Sequence, residues 1–193
     1  LVGDNPASKV YVGNKSRFAK ECLFETIDIK LEQDCSQSEI ENAIRELNNN
    51  PEVDGILLQL PLPKPLKSEP LLSLIDPSKD ADGLHPLNQG LLLRGEGRLR
   101  PCTPSGSMLM IDLAFSATEL DSKTEISSIK PVSLAGMNAV VVGRSVLVGK
   151  PLAMMLLERD ATVTIAHSKT KNLDQVCQQA DILVASVGQE NII

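Results

Sequence analysis

Four side chains have the type and setting for chemistry: Tyr11, Lys15, Gln59 and Asp82. Tyr11 and Lys15 are four residues apart, which on a helix puts them on adjacent turns of one face. A lysine moves protons at neutral pH only where burial or a neighbouring cation lowers its pKa. Without that environment the pair is an ordinary solvated helix surface, and spacing alone leaves both readings open. Gln59 is the one polar residue in the run Ile56-Leu57-Leu58-Gln59-Leu60, which Pro61 closes. It falls at the C-terminal end of a predicted strand, where α/β sheets place their ligands. Asp82 precedes Gly83 and either caps that turn or reaches a ligand. His85 reads as structural.

A second group points to phosphate. Gly143-Arg144-Ser145-Val146-Leu147-Val148-Gly149-Lys150-Pro151 lies between a predicted strand and a predicted helix. There, backbone N–H groups and a helix N-terminus can face a pyrophosphate. Its glycines are six apart, which fits neither G-x-G-x-x-G nor a Walker loop, since Pro151 rather than Ser or Thr follows Lys150. The pattern leaves a structural turn and a cofactor site both open. After the second predicted strand comes His167-Ser168-Lys169-Thr170, with no acidic residue between 166 and 171. NAD-preferring folds place Asp or Glu there for the ribose 2′-hydroxyl. Hydroxyl and basic groups, joined by Arg144, suit a 2′-phosphate and favour NADP.

Elements must hold these residues in place. Asn5-Pro6 starts a helix running to about Cys22. Weak alternation predicts an exposed strand over 24–31, and Ile40, Ala43, Ile44 and Leu47 predict a helix over 38–47. The run 56–60 reads as a buried parallel strand. Two polar loops, 79–86 and 100–106, can line a cleft, and the second leads into a helix over 107–115. Ser/Thr-rich residues 117–130 mark the domain junction. From Asn138 the order is strand 139–142, helix 151–159, strand 162–165, helix 173–179 and strand 182–185. That is βαβαβ, the first half of a doubly wound nucleotide-binding sheet.

Composition excludes several classes. The 193 residues are 42% hydrophobic and 23% charged, as in globular domains. A net charge of −6 and 2% aromatic content argue against a nucleic-acid surface. No apolar run is long enough for a membrane span, and the reading is a soluble cytoplasmic protein. Cys22, Cys35, Cys102 and Cys177, with His85 and His167, have no metal-ligand spacing and read as reduced thiols. The opening Leu1-Val2-Gly3-Asp4 reads as the tail of a buried strand, and the sequence reads as a piece of a longer chain.

Taken together, the motifs resemble the bifunctional methylenetetrahydrofolate dehydrogenase/methenyltetrahydrofolate cyclohydrolase family. They are Val2-Gly3-Asp4-Asn5-Pro6-Ala7-Ser8 with Tyr11 and Lys15, Asp54-Gly55-Ile56-Leu57-Leu58-Gln59-Leu60-Pro61-Leu62-Pro63, Lys79-Asp80-Ala81-Asp82-Gly83, Arg100-Pro101-Cys102-Thr103-Pro104, and Gly143-Arg144-Ser145 through Pro151. The resemblance implies a two-domain α/β enzyme: a folate-binding catalytic domain over 1–116, a linker over 117–137, and a Rossmann-type NADP-binding domain from 138, both domains truncated. It implies catalysis by Lys15 with Gln59, Tyr11 and Asp82, substrate contacts at Tyr11, Gln59, Leu60, Pro61 and Asp82, and NADP contacts at Gly143, Arg144, Ser145 and Ser168. It also implies tetrahydrofolate one-carbon substrates, no metal, and a homodimer in the full-length protein. Residues 117–131 are longer than the family usually carries there. The competing expectations are an NADP dehydrogenase acting on another small substrate and a noncatalytic folate- or nucleotide-binding protein.

Overall fold

A computed structural model of the chain describes residues 1–116 and 125–188. Residues 117–124 of the expected linker lie outside the described residues. The chain forms two compact units, Leu1–Ala81 and Asp82–Ile193.

The first unit contains α1 (Pro6–Glu21), α2 (Gln37–Asn49) and α3 (Ser68–Leu72). Asn5 caps α1 by accepting the Ser8 N–H at 3.0 Å, with Pro6 in the first turn, as the sequence predicts. A capping box starts α2: Ser36 Oγ accepts the Glu39 N–H, and the Glu39 carboxylate accepts the Ser36 N–H at 2.7 Å. The Ser36 N–H and, at 2.8 Å, the Ser36 hydroxyl both donate to that carboxylate and hold it below the usual carboxylate range. Ile40 and Ile44 turn inward from α2.

Both strands expected in this unit shrink to single bridges. Of residues 24–31 only Leu31 pairs, in parallel with Val2, while Phe24 and Ile27 stay exposed. Alternation makes a strand only where a neighbour satisfies its N–H and C=O groups, and here Leu31 has both paired while Ile29 has only its carbonyl bonded, to the Leu1 amino group at 2.9 Å. The run 56–60 is buried at Ile56 and Leu58, as expected, but pairs only once, Ile56 with Asp80. Side-chain hydrogen bonds add further links to α2. Asn48 donates to Leu74 O and accepts the Asp76 N–H, both at 2.8 Å. Gln37 makes the same two-way bond with the backbone of Lys67, at 3.1 Å each way.

The second unit contains α4 (Pro86–Leu93), α5 (Cys102–Phe115), a 3₁₀ turn (Ile126–Ser128), β1 (Asn138–Val142), α6 (Gly149–Leu157), β2 (Thr162–Ala166), α7 (Leu173–Gln178) and β3 (Ile182–Ala185). Helix α4 is absent from the sequence reading, which ends its turn at Pro86. Its signal is a cap followed by proline: His85 Nδ1 accepts the Leu87 N–H at 3.0 Å and Pro86 takes the first position. Helix α5 begins at Cys102, so residues 102–106 are helix rather than loop. Pro104 is tolerated because first-turn N–H groups have no intrahelical acceptor.

The three strands are parallel in the order β2-β1-β3, with Val142 level with Ala166 on one side and Ala185 on the other. The βαβαβ sequence is as predicted, and the third strand lies across β1 from the second. Central β1 is buried on both faces. Ala139 and Val141 pack with Met108 and Ile111 of α5 and Leu152, Ala153 and Leu156 of α6. Val140 and Val142 pack with Ala166 and Cys177 on the other face.

Asp112 of α5, 7% exposed, pairs with Arg159 just beyond α6, and both bind Val132: Asp112 Oδ1 accepts its N–H at 2.9 Å and Arg159 Nε donates to its carbonyl at 3.0 Å. Removing one partner of such a pair strands the other's charge. Asp112→Ala should lower stability by roughly 3 kcal/mol in urea denaturation, well beyond the effect of an exposed-pair variant such as Glu96→Ala.

Candidate active site

Tyr11 and Lys15 stand on one face of α1, both exposed, Tyr11 at 63%. Gln59 follows the Ile56 bridge, half-buried, in the extended segment leading to Leu60 and exposed Pro61. Its Nε2 donates to Leu60 O at 2.7 Å, which fixes the amide plane. Its Oε1 is buried and has no hydrogen-bond partner among the described residues. A buried unpaired acceptor costs free energy, so this carbonyl is a ready acceptor for a donor brought to it.

Beside this segment is a cavity of about 340 Å³, lined by Val2, Asp4, Asn5, Gln33, Pro61, Leu62 and Pro63. It lies at the N-terminal end of α1 and includes one of the residues expected to touch substrate, Pro61. Asp4 on its wall pairs with Lys9 at 2.6 Å, and that hydrogen bond holds the Asp4 carboxyl below its usual range. An ionised carboxylate therefore faces the space.

Asp82 opens the second unit, half-buried. The glycine after it has φ +65°, and a Cβ there would sit 3.0 Å from the Arg100 carbonyl carbon and the Pro101 nitrogen. Gly83 thus lets the Asp82 turn pack directly on the peptide that leads into α5. Of the two segments expected to line a cleft, 79–86 and 100–106, the second unit brings Gly83 against Arg100 and Pro101.

The glycine turn after β1 explains its own spacing. Gly143 has φ +132°, and a Cβ on it would overlap Ser186 just beyond β3. A Cβ on Gly149 would overlap the Gly143 carbonyl. The two glycines therefore stack backbone on backbone and close 143–149 into a compact loop. Ser145 Oγ accepts the Val148 N–H at 3.1 Å, and Ser145 O accepts the Lys150 N–H at 3.0 Å, so Ser145 braces the start of α6. The N–H groups of Arg144, Ser145, Val146 and Leu147 have no partner among the described residues, and the Arg144 side chain is exposed. N–H groups without partners among the described residues, a helix N-terminus and an arginine are the groups from which an anion-binding loop is built.

After β2, His167 N–H donates to Thr170 Oγ1 at 2.8 Å and Thr170 N–H to His167 O at 2.7 Å. The turn leaves Ser168 exposed at its tip, beside exposed Lys169. Because Val142 is level with Ala166 and Ala185, the loops starting at Gly143, His167 and Ser186 leave the same edge of the sheet. The strand order reverses at β1, so the switch point lies between β1 and β3, where doubly wound sheets bind nucleotides. Ser186 is the residue that sequence reasoning missed there. Its hydroxyl donates to Val142 O at 3.1 Å and it packs on Gly143, a contact that depends on strand order, which periodicity does not encode. The described residues contain no cluster able to hold a metal ion, and no helix long and apolar enough to cross a membrane. Cys22, Cys35, Cys102 and Cys177 are free, and burial raises the Cys35 thiol pKa.

Fold and loops define the second unit as a doubly wound nucleotide-binding module, joined in one chain to a largely helical unit with its own cavity. The profile of the tetrahydrofolate dehydrogenase/cyclohydrolase catalytic domain matches residues 1–82, and that of the same family's NAD(P)-binding domain matches residues 101–193. The chain belongs to the tetrahydrofolate dehydrogenase/cyclohydrolase family. It is 47% identical over 195 residues to the bifunctional protein FolD 2 of Rhizobium etli, covering 100% of this chain and 60% of that one. The crystal structure of the bifunctional FolD enzyme of Campylobacter jejuni superposes with a TM-score of 0.88 at 38% identity, over 100% of this chain and 63% of the other. The Trypanosoma brucei FolD structure, complexed with NADP and an inhibitor, gives 0.84 at 32% identity, over 97% and 59%. The chain therefore spans about 60% of the length of the relatives it matches.

Gly149→Ala should lower the stability of the second unit by about 2 kcal/mol, since neither Gly143 O nor the helix start can yield space. Gly106→Ala, exposed within α5 with open space around it, should be neutral or stabilising by up to about 1 kcal/mol. Paired denaturation curves check both.

Proposed function

We propose that the protein to which this chain belongs oxidises 5,10-methylenetetrahydrofolate with NADP+ and hydrolyses the 5,10-methenyl product to 10-formyltetrahydrofolate. The observation that carries this reading is the succession, in one chain, of the family's catalytic-domain profile and its NAD(P)-binding profile. Relatives aligned over the whole of this chain bear the name of the bifunctional enzyme.

The residues fit NADP. The cradle at 143–149 offers free N–H groups to a diphosphate, while Arg144 with Ser168 and Lys169 suits a 2′-phosphate better than a bare ribose hydroxyl. Bound there, NADP+ supplies the hydride acceptor. The chain's own residues bind and orient. Tyr11 provides an exposed ring against which the folate lies, Leu60 and Pro61 add apolar contact, and Asp82 takes the N–H groups of the pterin. Oxidation needs little acid–base help from the protein, because the folate nitrogens supply electron density as hydride leaves.

Hydrolysis is different. Water adds to the cationic methenyl carbon, loses a proton, and a folate nitrogen gains one as the ring opens. Lys15 is the group assigned to move that proton. Gln59, with Nε2 committed to Leu60 and Oε1 unbonded, is suited to accept from the Lys15 ammonium and fix its direction. The whole protein is further proposed to act as a homodimer in the cytoplasm.

Lys15→Met in the complete protein should reduce methenyl hydrolysis by at least about 100-fold and the dehydrogenase step by less. Following both steps separately in that variant tests the assignment; hydrolysis at the parent's rate would remove Lys15 from it.

A further inference from the structure

Lys79 is in none of the roles given above. Its half-buried ammonium donates to three carbonyls at the C-terminal end of α2, Leu47 O at 3.2 Å and Asn48 O and Asn50 O at 2.8 Å each. No carboxylate pairs with it among the described residues, so its charge is balanced by helix-end carbonyls alone. Three tetrahedrally disposed donors meet three acceptors, a geometry that the planar fork of arginine does not reproduce.

The main chain of the same residue sets a register. Lys79 O accepts the Ile56 N–H at 2.6 Å, Ile56 O accepts the Ala81 N–H at 3.2 Å, and Lys79 N–H donates to Asp76 O at 2.8 Å. Among the described residues this single parallel bridge is all the ladder that the segment 56–60 has. Gln59 follows Ile56 by three residues, and Asp82 follows Lys79 by three. One lysine thus anchors to α2 the point from which the segment bearing Gln59 runs on.

We propose that Lys79 is a positioning residue for folate: its ammonium fixes the Ile56–Asp80 register and, through it, the placement of Gln59. The inference rests on the functional reading above. A merely structural lysine would contribute to folding without changing folate recognition in molecules that are folded.

The test compares the complete parent protein with Lys79→Met and Lys79→Arg. It reads the thermal midpoint, the tetrahydrofolate dissociation constant by calorimetry, and steady-state kinetics with folate and NADP+ varied in turn, all well below each midpoint. Lys79→Met should raise the KM and the dissociation constant for folate about tenfold and leave the KM for NADP+ within about twofold. Lys79→Arg, which keeps the charge but not the geometry, should raise them about threefold. Should the methionine variant not fold, the arginine variant carries the same comparison. A lowered midpoint with unchanged folate KM and dissociation constant overturns the proposal, as does an equal loss toward both substrates. A parent that neither binds tetrahydrofolate nor turns over overturns the functional reading and this inference with it; an active parent with unaffected variants overturns this inference alone.

Discussion

The bonds from Lys79 to the end of α2 stand in for a sheet. The first unit has two isolated bridges and no ladder among its described residues, so its extended segments would otherwise lack partners. What locates them is a set of side chains bonded to main chain: Lys79 to Leu47, Asn48 and Asn50, Asn48 to Leu74 and Asp76, and Gln37 to Lys67. All of them meet at α2, whose start is fixed by the Ser36–Glu39 capping box and whose buried Ile40 and Ile44 hold it to the core. A helix spanned by reciprocal polar bonds gives the segment bearing Gln59 a defined place with little regular structure around it.

The second unit is built on the opposite principle. A five-residue strand buried on both faces takes helices on each side, and parallel pairing brings three loops to one edge. There the decisive constraint is the absence of side chains. Gly143 and Gly149 stack where a Cβ on either would overlap backbone or Ser186, and in the loop they close four N–H groups have no partner among the described residues. Ser145, expected to meet the cofactor, also has a local task, since its oxygen braces the start of α6.

Much of this was legible in the sequence because the signals were local. Caps and prolines located α1, periodicity located α2, and apolar runs separated by a glycine turn located the βαβαβ unit. The glycine spacing matched no standard fingerprint, because these glycines answer to each other and to Ser186 across the sheet. The strands expected over 24–31 and 56–60 failed for one reason: alternation and burial describe a residue's surroundings, whereas a ladder depends on a neighbour that local pattern does not specify. Helix α4 was hidden by a turn-rich start, although His85 followed by Pro86 is its cap. The candidate residues were found by type and motif. The Gln59 carbonyl, unbonded among the described residues, and the three-carbonyl seat of Lys79 are properties of the folded structure that local pattern does not encode.

The central claim, that folate oxidation is coupled to a cradle suited to a 2′-phosphate, is tested most directly by one absorbance experiment on the complete protein. With 5,10-methylenetetrahydrofolate, the methenyl product should appear with NADP+ much faster than with NAD+ at equal concentration, then decay at an enzyme-dependent rate. Equal rates with the two cofactors would contradict the assignment of Arg144, Ser168 and Lys169 to the 2′-phosphate. No product with either would contradict the account as a whole.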